Sequence, residues 1–172
     1  MGKARKGSFT PKNPKKYVGN VKDITYRSGW ELRLMREFDK NPKITQWNSE
    51  CVIINYWNPV KNRAAKYYPD FMIKMDNRVI LIEVKPQRET ARPVPAKKKS
   101  KTSAKRYINE CATYAINDSK WHAATKRCKE LGIDWWIITE SNVDTFFPNV
   151  KFVLPKLPKT KSINRVRKRK KG

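Results

Sequence analysis

The sequence predicts a single α/β domain in which a mixed sheet is flanked by helices. Three observations carry this expectation. An apolar pattern of helical period runs near residues 28–40, two β-rich stretches meet at Asp76-Asn77, and two helical stretches precede the apolar run Trp135-Trp136-Ile137-Ile138. At 172 residues, with 38% hydrophobic and 11% aromatic content, the chain has enough apolar material for one modest core.

Taken in order, residues 1–16 are rich in Lys, Gly, Pro and Asn and read as a flexible basic arm. The folded domain is expected over 17–154. Trp30, Leu32, Leu34, Met35 and Phe38 recur at helical spacing, and Asn41-Pro42 ends the pattern. Cys51 to Trp57 is β-rich and stops at Asn58-Pro59. Lys66 to Met75 and Arg78 to Lys85 read as two strands of a hairpin, because Asp76 and Asn77 both tolerate the positive φ of a two-residue turn. A Pro- and Lys-rich loop covers 86–103. Two helices follow, near 104–117 and 119–131, with Asp118 or Ser119 as cap of the second and Gly132 as its stop. Asp134 to Thr139 reads as a buried strand, and 155–172 as a second basic arm.

Charge limits the choice of partner. There are 40 Lys and Arg against 15 Asp and Glu, a formal net charge of +25. The two arms hold 15 of the basic residues and no acid, so 17–154 still carries a net +10. Self-repulsion of that size costs stability unless a polyanion offsets it. The basic residues are spread beyond any one amphipathic helix, and no lipidation motif or run of about 20 apolar residues occurs, so nucleic acid is favoured over a membrane. The N-terminal Met1-Gly2-Lys3-Ala4-Arg5-Lys6 has no apolar stretch behind it and does not read as a secretory signal. Cys51, Cys111 and Cys128 are far apart, without CxxC spacing, and read as small apolar core residues in a reducing compartment. A zinc site joining them to His122 fits no familiar spacing.

The hairpin brings chemistry together. With Asp76 and Asn77 as the turn, Met75 pairs with Arg78 and Asp70 falls opposite Glu83. Facing residues on antiparallel strands have Cβ atoms roughly 4.5–5.5 Å apart, so two carboxylates there repel. A hard divalent cation removes that penalty. Lys85, two residues past Glu83, shares its face, while Phe71, Ile73, Ile80, Ile82 and Val84 take the other. A charge inside Val79-Ile80-Leu81-Ile82-Glu83-Val84 is costly unless paired or metal-bound. Carboxylates, a metal and a neighbouring lysine meet the needs of phosphodiester hydrolysis. The competing reading, an exposed salt-bridged face, is the usual fate of an arbitrary acidic pair.

Tyr68-Pro69-Asp70-Phe71 followed by Glu83-Val84-Lys85 resembles the PD-(D/E)xK signature of restriction-endonuclease-like nucleases. Ser28-Gly29-Trp30-Glu31, Glu83-Val84-Lys85-Pro86, Lys120-Trp121 and Thr139-Glu140 extend the resemblance to two groups. One is the endonuclease subunit that cuts transposon ends. The other is the head completion nuclease of tailed bacteriophages. The resemblance covers about 26–140. It implies a restriction-endonuclease-like core, Mg2+ (replaceable by Mn2+) held by Asp70 and Glu83, Lys85 as the residue that positions water, and Glu31 as an additional acid. The phage group further implies action on double-stranded DNA during virion assembly in the host cytoplasm, contact with head or portal and neck proteins, and association with the virion. A non-catalytic basic DNA-binding protein is the rival from another class.

Glu31 has two readings, since Ser28-x-x-Glu31 is also a capping box. Gln87 and Lys120 have two readings, contact with DNA or water near the site and, more often for bare residues of these types, a solvated surface position. Trp30, Trp121, Trp135 and Trp136 lie in patterned elements and are expected to pack. His122 stands alone, which disfavours histidine-based nuclease chemistry, and no GxxxxGK[ST] stretch is present. Lys97, Lys98, Lys99 and Lys101, with Arg165, Arg167, Lys168 and Arg169, are expected to contact phosphates without reading sequence.

Overall fold

The turn at Asp76-Asn77 sets the register of the central sheet. In the computed structural model, which describes residues 6–97 and 100–153, both turn residues take left-handed φ values of 47° and 63°. This is the mirror-image turn whose twist matches that of the strands it joins. It connects β6 (Phe71–Met75) to β7 (Arg78–Val84), pairing Met75 with Arg78 and Phe71 with Ile82. On the far side of β6 lies β3 (Ile44–Ser49), antiparallel and bulged between Ile44 and Gln46. On the far side of β7 lies β8 (Asp134–Ile138), parallel, which makes the four-stranded sheet mixed in the order β3-β6-β7-β8. Two short pairs stand apart from it. These are β1 (Gly7–Ser8) with β2 (Thr25–Tyr26), and the hairpin of β4 (Ile54–Asn58) and β5 (Arg63–Tyr67).

The sheet buries both faces. On one, α1 (Gly29–Lys40) places Leu34, Met35 and Phe38 on Phe71, Ile73, Ile80 and Ile82. The short α3 (Val143–Phe146) and Phe147 close that side. On the other face, α2 (Lys101–Leu131) packs Ala124 and Cys128 on Leu81, joined by Ile54, Tyr56 and Tyr67 of the β4–β5 hairpin. The sequence pattern of mixed sheet and flanking helices is thus present.

Several local expectations are corrected. The run read as one strand over 66–75 is cut at Tyr68-Pro69, because proline cannot donate to a ladder. The two helices expected around 118 are one helix of 31 residues. Neither Gly nor Pro interrupts it, and Ser119 turns its hydroxyl outward to the Trp57 carbonyl at 2.6 Å instead of capping. Gly132 does end it, with φ of 64°. β3 was not anticipated, and β8 is a half-buried edge strand. Of the cysteines only Cys128 is buried, since Cys51 lies exposed in the loop after β3.

Residues 6–16, read as part of a flexible arm, are folded here. Asp39, buried at the end of α1, accepts the backbone N–H groups of Lys12 and Asn13 at 2.8 and 2.9 Å. Lys16 donates to the carbonyls of Asp39 and Asn41 at 3.1 and 2.7 Å, supplying the positive charge a helix C-terminus favours. The tail over 155–172, with Arg165, Arg167, Lys168 and Arg169, lies outside the described residues, as do Lys98 and Lys99.

Asp39→Ala removes two charge-assisted hydrogen bonds and is expected to cost about 3 kcal/mol in urea unfolding. A loss under about 0.5 kcal/mol, the range of ordinary surface changes, contradicts the anchoring role of this carboxylate.

Candidate active site

β5 ends at Tyr67, ahead of Pro69, and β6 begins at Phe71, so Asp70 stands just outside the strand, one step beyond the Phe71–Ile82 pair and at the level of Glu83. The backbone holds Asp70 at two points. Its carbonyl accepts from Glu50 N–H at 3.0 Å, and its carboxylate Oδ2 accepts from Val84 N–H at 2.7 Å. Glu83 is only 3% exposed, in mid-sheet. Its two oxygens have separate partners: Tyr67 donates its hydroxyl to Oε2 at 2.6 Å, and Lys85 Nζ lies 3.2 Å from Oε1. Lys85 N–H in turn donates to Ile138 O at 3.0 Å, continuing the β7–β8 ladder past the last strand residue. Asp70, Glu83 and Lys85 therefore converge where the sequence register places them.

The electrostatics are those of a strained pair. Burial pushes the Asp70 carboxyl well above its usual range, and the charges of Glu83 and Glu31 push in the same direction. The Val84 N–H and Lys85 oppose the rise without cancelling it. At Lys85 burial disfavours the charge, but Glu83 and Asp70 together outweigh it and hold the ammonium above its ordinary value. Burial and the Glu83 charge drive the Tyr67 hydroxyl far upward, so it stays protonated and serves Glu83 as a donor.

Glu31 takes the capping geometry. Its N–H donates to Ser28 Oγ at 3.1 Å, and its Oε2 accepts from Arg27 N–H at 2.7 Å. The reciprocal bond reaches one residue further back than the usual capping box. Among the described residues no group of three His, Cys, Asp or Glu side chains converges closely enough to hold an ion, so Glu31 stands outside the Asp70–Glu83 pair. It remains at the same corner: Arg27 pairs two-pronged with Glu50, whose N–H meets Asp70. Asp70 and Glu83 are the side chains with oxygens suited to a hard cation.

Two further side chains join the site, Lys120, for which the solvated reading was favoured over a place near the site, and Tyr67, which was not anticipated. Lys120 Nζ lies 5.2 Å over the Tyr67 ring and 5.7 Å over the Tyr56 ring. Burial lowers its pKa, with Glu83 and Asp70 pulling the other way and Lys85 adding to the fall. The legible signal was the buried stripe Asn117, Trp121, Ala124, Cys128, beside which position 120 faces the sheet. Tyr67 had no comparable signal, because its role depends on where the β4–β5 hairpin folds back. Gln87, for which the solvated reading was also favoured, is tied down: its N–H meets Glu140 and its side chain accepts from Ser141 at 2.8 Å each. Trp30, Trp121, Trp135 and Trp136 pack against the two cores or lie buried, whereas His122 is exposed. Lys97 and Lys101 are exposed.

The family model described as TnsA-like endonuclease N terminal matches residues 41–140. The chain belongs to this TnsA-like endonuclease family. The matched span contains Asp70, Glu83, Lys85 and Lys120, and begins after Glu31. A curated relative, the head completion nuclease of Enterobacteria phage T4, is 37% identical over 141 residues, covering 81% of this chain and 94% of that protein. Both comparisons agree with the two groups the sequence resembles.

In this TnsA-like chain, Asp70→Asn keeps an oxygen for the Val84 N–H while removing one of two repelling charges. Without divalent ions at neutral pH, its melting temperature is expected to rise by about 2–4 °C, the shift that roughly 1 kcal/mol gives in a chain of this size. A fall of similar size contradicts the repulsion.

Proposed function

We propose that the protein is a magnesium-dependent DNA endonuclease acting on double-stranded DNA during phage head completion. The observation that carries this reading is the convergence of Asp70 and Glu83, two carboxylates of which one is held above its usual pKa, with Lys85 Nζ 3.2 Å from Glu83. Membership of an endonuclease family supports the reaction class, and the similarity along 94% of a head completion nuclease supports the setting. The layout of α1, β3, β6, β7, α2 and β8 fits a restriction-endonuclease-like core. On this reading the protein works in the host cytoplasm, meets head or portal and neck proteins, and can remain with the virion.

Asp70 and Glu83 would hold Mg2+ or Mn2+, with Glu31 able to join by releasing the Arg27 N–H. Such an ion neutralises phosphate charge and lowers the pKa of a bound water. The chain's own groups do the rest. Lys85 Nζ is placed to donate to a phosphate oxygen and to orient the attacking water. Tyr67 fixes the rotamer of Glu83 through its 2.6 Å bond. Lys120 adds a second positive charge beside the carboxylates, where the phosphate would enter. Exposed Lys97 and Lys101, together with Lys98, Lys99, Arg165, Arg167, Lys168 and Arg169, supply affinity without sequence preference.

The test is nicking of supercoiled plasmid. Cutting is expected with Mg2+, none with a chelator, and a loss of about 100-fold or more in Asp70→Asn and Glu83→Gln while gel-shift binding persists. Cutting that survives chelator, or is undiminished in both variants, overturns the proposal. Binding without cutting under all these conditions favours a non-catalytic DNA scaffold instead.

A further inference from the structure

The direction of α2 carries a second inference. The last turns of α2 lie at the start of β8, and β8 runs parallel to β7. The helix therefore runs antiparallel to both strands, and going back from Leu131 it climbs toward the edge where β7 ends. By Lys120 it has reached the level of Tyr67 and Glu83. The 19 residues before Lys120 continue past that edge, about 28 Å of helix at 1.5 Å per residue. None of residues 101–116 is buried, and Ile108 is 65% exposed.

The β4–β5 hairpin points the same way. Ile54 begins beside Ala123 and Lys126, whereas the Trp57 carbonyl meets Ser119, so the tip lies toward the overhang. It carries exposed Lys61 and Arg63.

The charge on this overhang is the decisive feature. Residues 101–109, at its free end, hold three basic residues and no acid, and three more lysines, Lys97 to Lys99, directly precede the helix in sequence. Lys101, Lys105 and Arg106 line one face of the helix with Thr102 and Asn109. The first turn of α2 holds no acidic residue. Positive charge there opposes the helix dipole, typically by 0.3–1 kcal/mol per charge. The base of the overhang joins the second core through Ile116 and buried Asn117, but the stretch before them buries no residue and a helix segment of that length is marginal in water. The ion pair of Arg106 with Glu110, at 3.5 Å and exposed, compensates little. A polyanion laid along the helix reverses the sign of each of these costs.

We propose that the α2 overhang and the β4–β5 tip form an arm that grips the phosphate backbone of duplex DNA to one side of the Asp70–Glu83 site. The partner follows from the nuclease reading, but the grip does not depend on cutting. A length of 28 Å corresponds to roughly eight base pairs at 3.4 Å each.

Binding of a duplex of about 20 base pairs, measured in chelator across a salt series, tests this. Lys101→Gln/Lys105→Gln/Arg106→Gln is expected to weaken binding about tenfold and to flatten the plot of log K against log salt by about 2–3. Lys61→Gln/Arg63→Gln is expected to flatten it by about 1–2. The control Lys43→Gln/Lys74→Gln/Lys129→Gln removes equal charge at the opposite edge of the sheet and should change the slope by less than about 1. An unchanged slope in the first two variants, or an equal loss in the control, overturns the arm. Plasmid nicking is scored separately: failure to cut with Mg2+ overturns the nuclease reading and leaves the slopes to decide the arm.

Discussion

Two carboxylates forced together at the end of the β6–β7 ladder are the constraint around which the rest of the molecule is arranged. Asp70 and Glu83 are brought together because a two-residue turn fixes the β6–β7 register, and Asp70, one residue before β6, is tied in place by the N–H groups of Glu50 and Val84. The sheet does not relieve their repulsion. It manages it, giving Asp70 a backbone N–H, Glu83 a phenol, and both a lysine. The phenol comes from the end of β5, while the N–H and the lysine are consecutive residues at the end of β7, so the site is correctly built only when β5, β6 and β7 are all in place.

That arrangement explains why the molecule has two cores. The α1 side is densely aromatic, with Phe71 and Phe147 in edge contact with Phe38 and Trp47 tilted against it, and it supplies a rigid floor. The α2 side is smaller, and its upper margin is formed by Tyr56, Tyr67 and Lys120 rather than by aliphatic groups. Polar chemistry sits at the boundary where the second core runs out. There the low dielectric strengthens every charge interaction while one edge stays open to a large partner.

Much of this was legible from residues alone. The hairpin was readable because Asp76 and Asn77 are the residue types that tolerate positive φ, and register is then arithmetic. From it followed the Asp70–Glu83–Lys85 convergence and the apolar face of Phe71, Ile73, Ile80 and Ile82. What local pattern could not give depends on tertiary packing. Helix α2 was divided in two because Asp118 and Ser119 are good caps, yet a neighbouring strand offered the Ser119 hydroxyl a better partner at Trp57. The basic composition of 6–16 suggested a loose arm, but Asp39 lies 26 residues or more away in sequence and nothing local marks it as the anchor. Tyr67 was missed as a member of the site, and Lys120 was ranked as solvated, for the same reason.

The central claim is that the Asp70–Glu83 pair is the seat of a divalent cation. Titration of Mn2+ into the metal-free protein, with the free ion followed by electron paramagnetic resonance, measures this without any substrate. Saturable uptake is expected for the native chain and its loss in Asp70→Asn/Glu83→Gln, with the far-ultraviolet circular dichroism unchanged. Equal uptake by both proteins, or none by either, would contradict the claim.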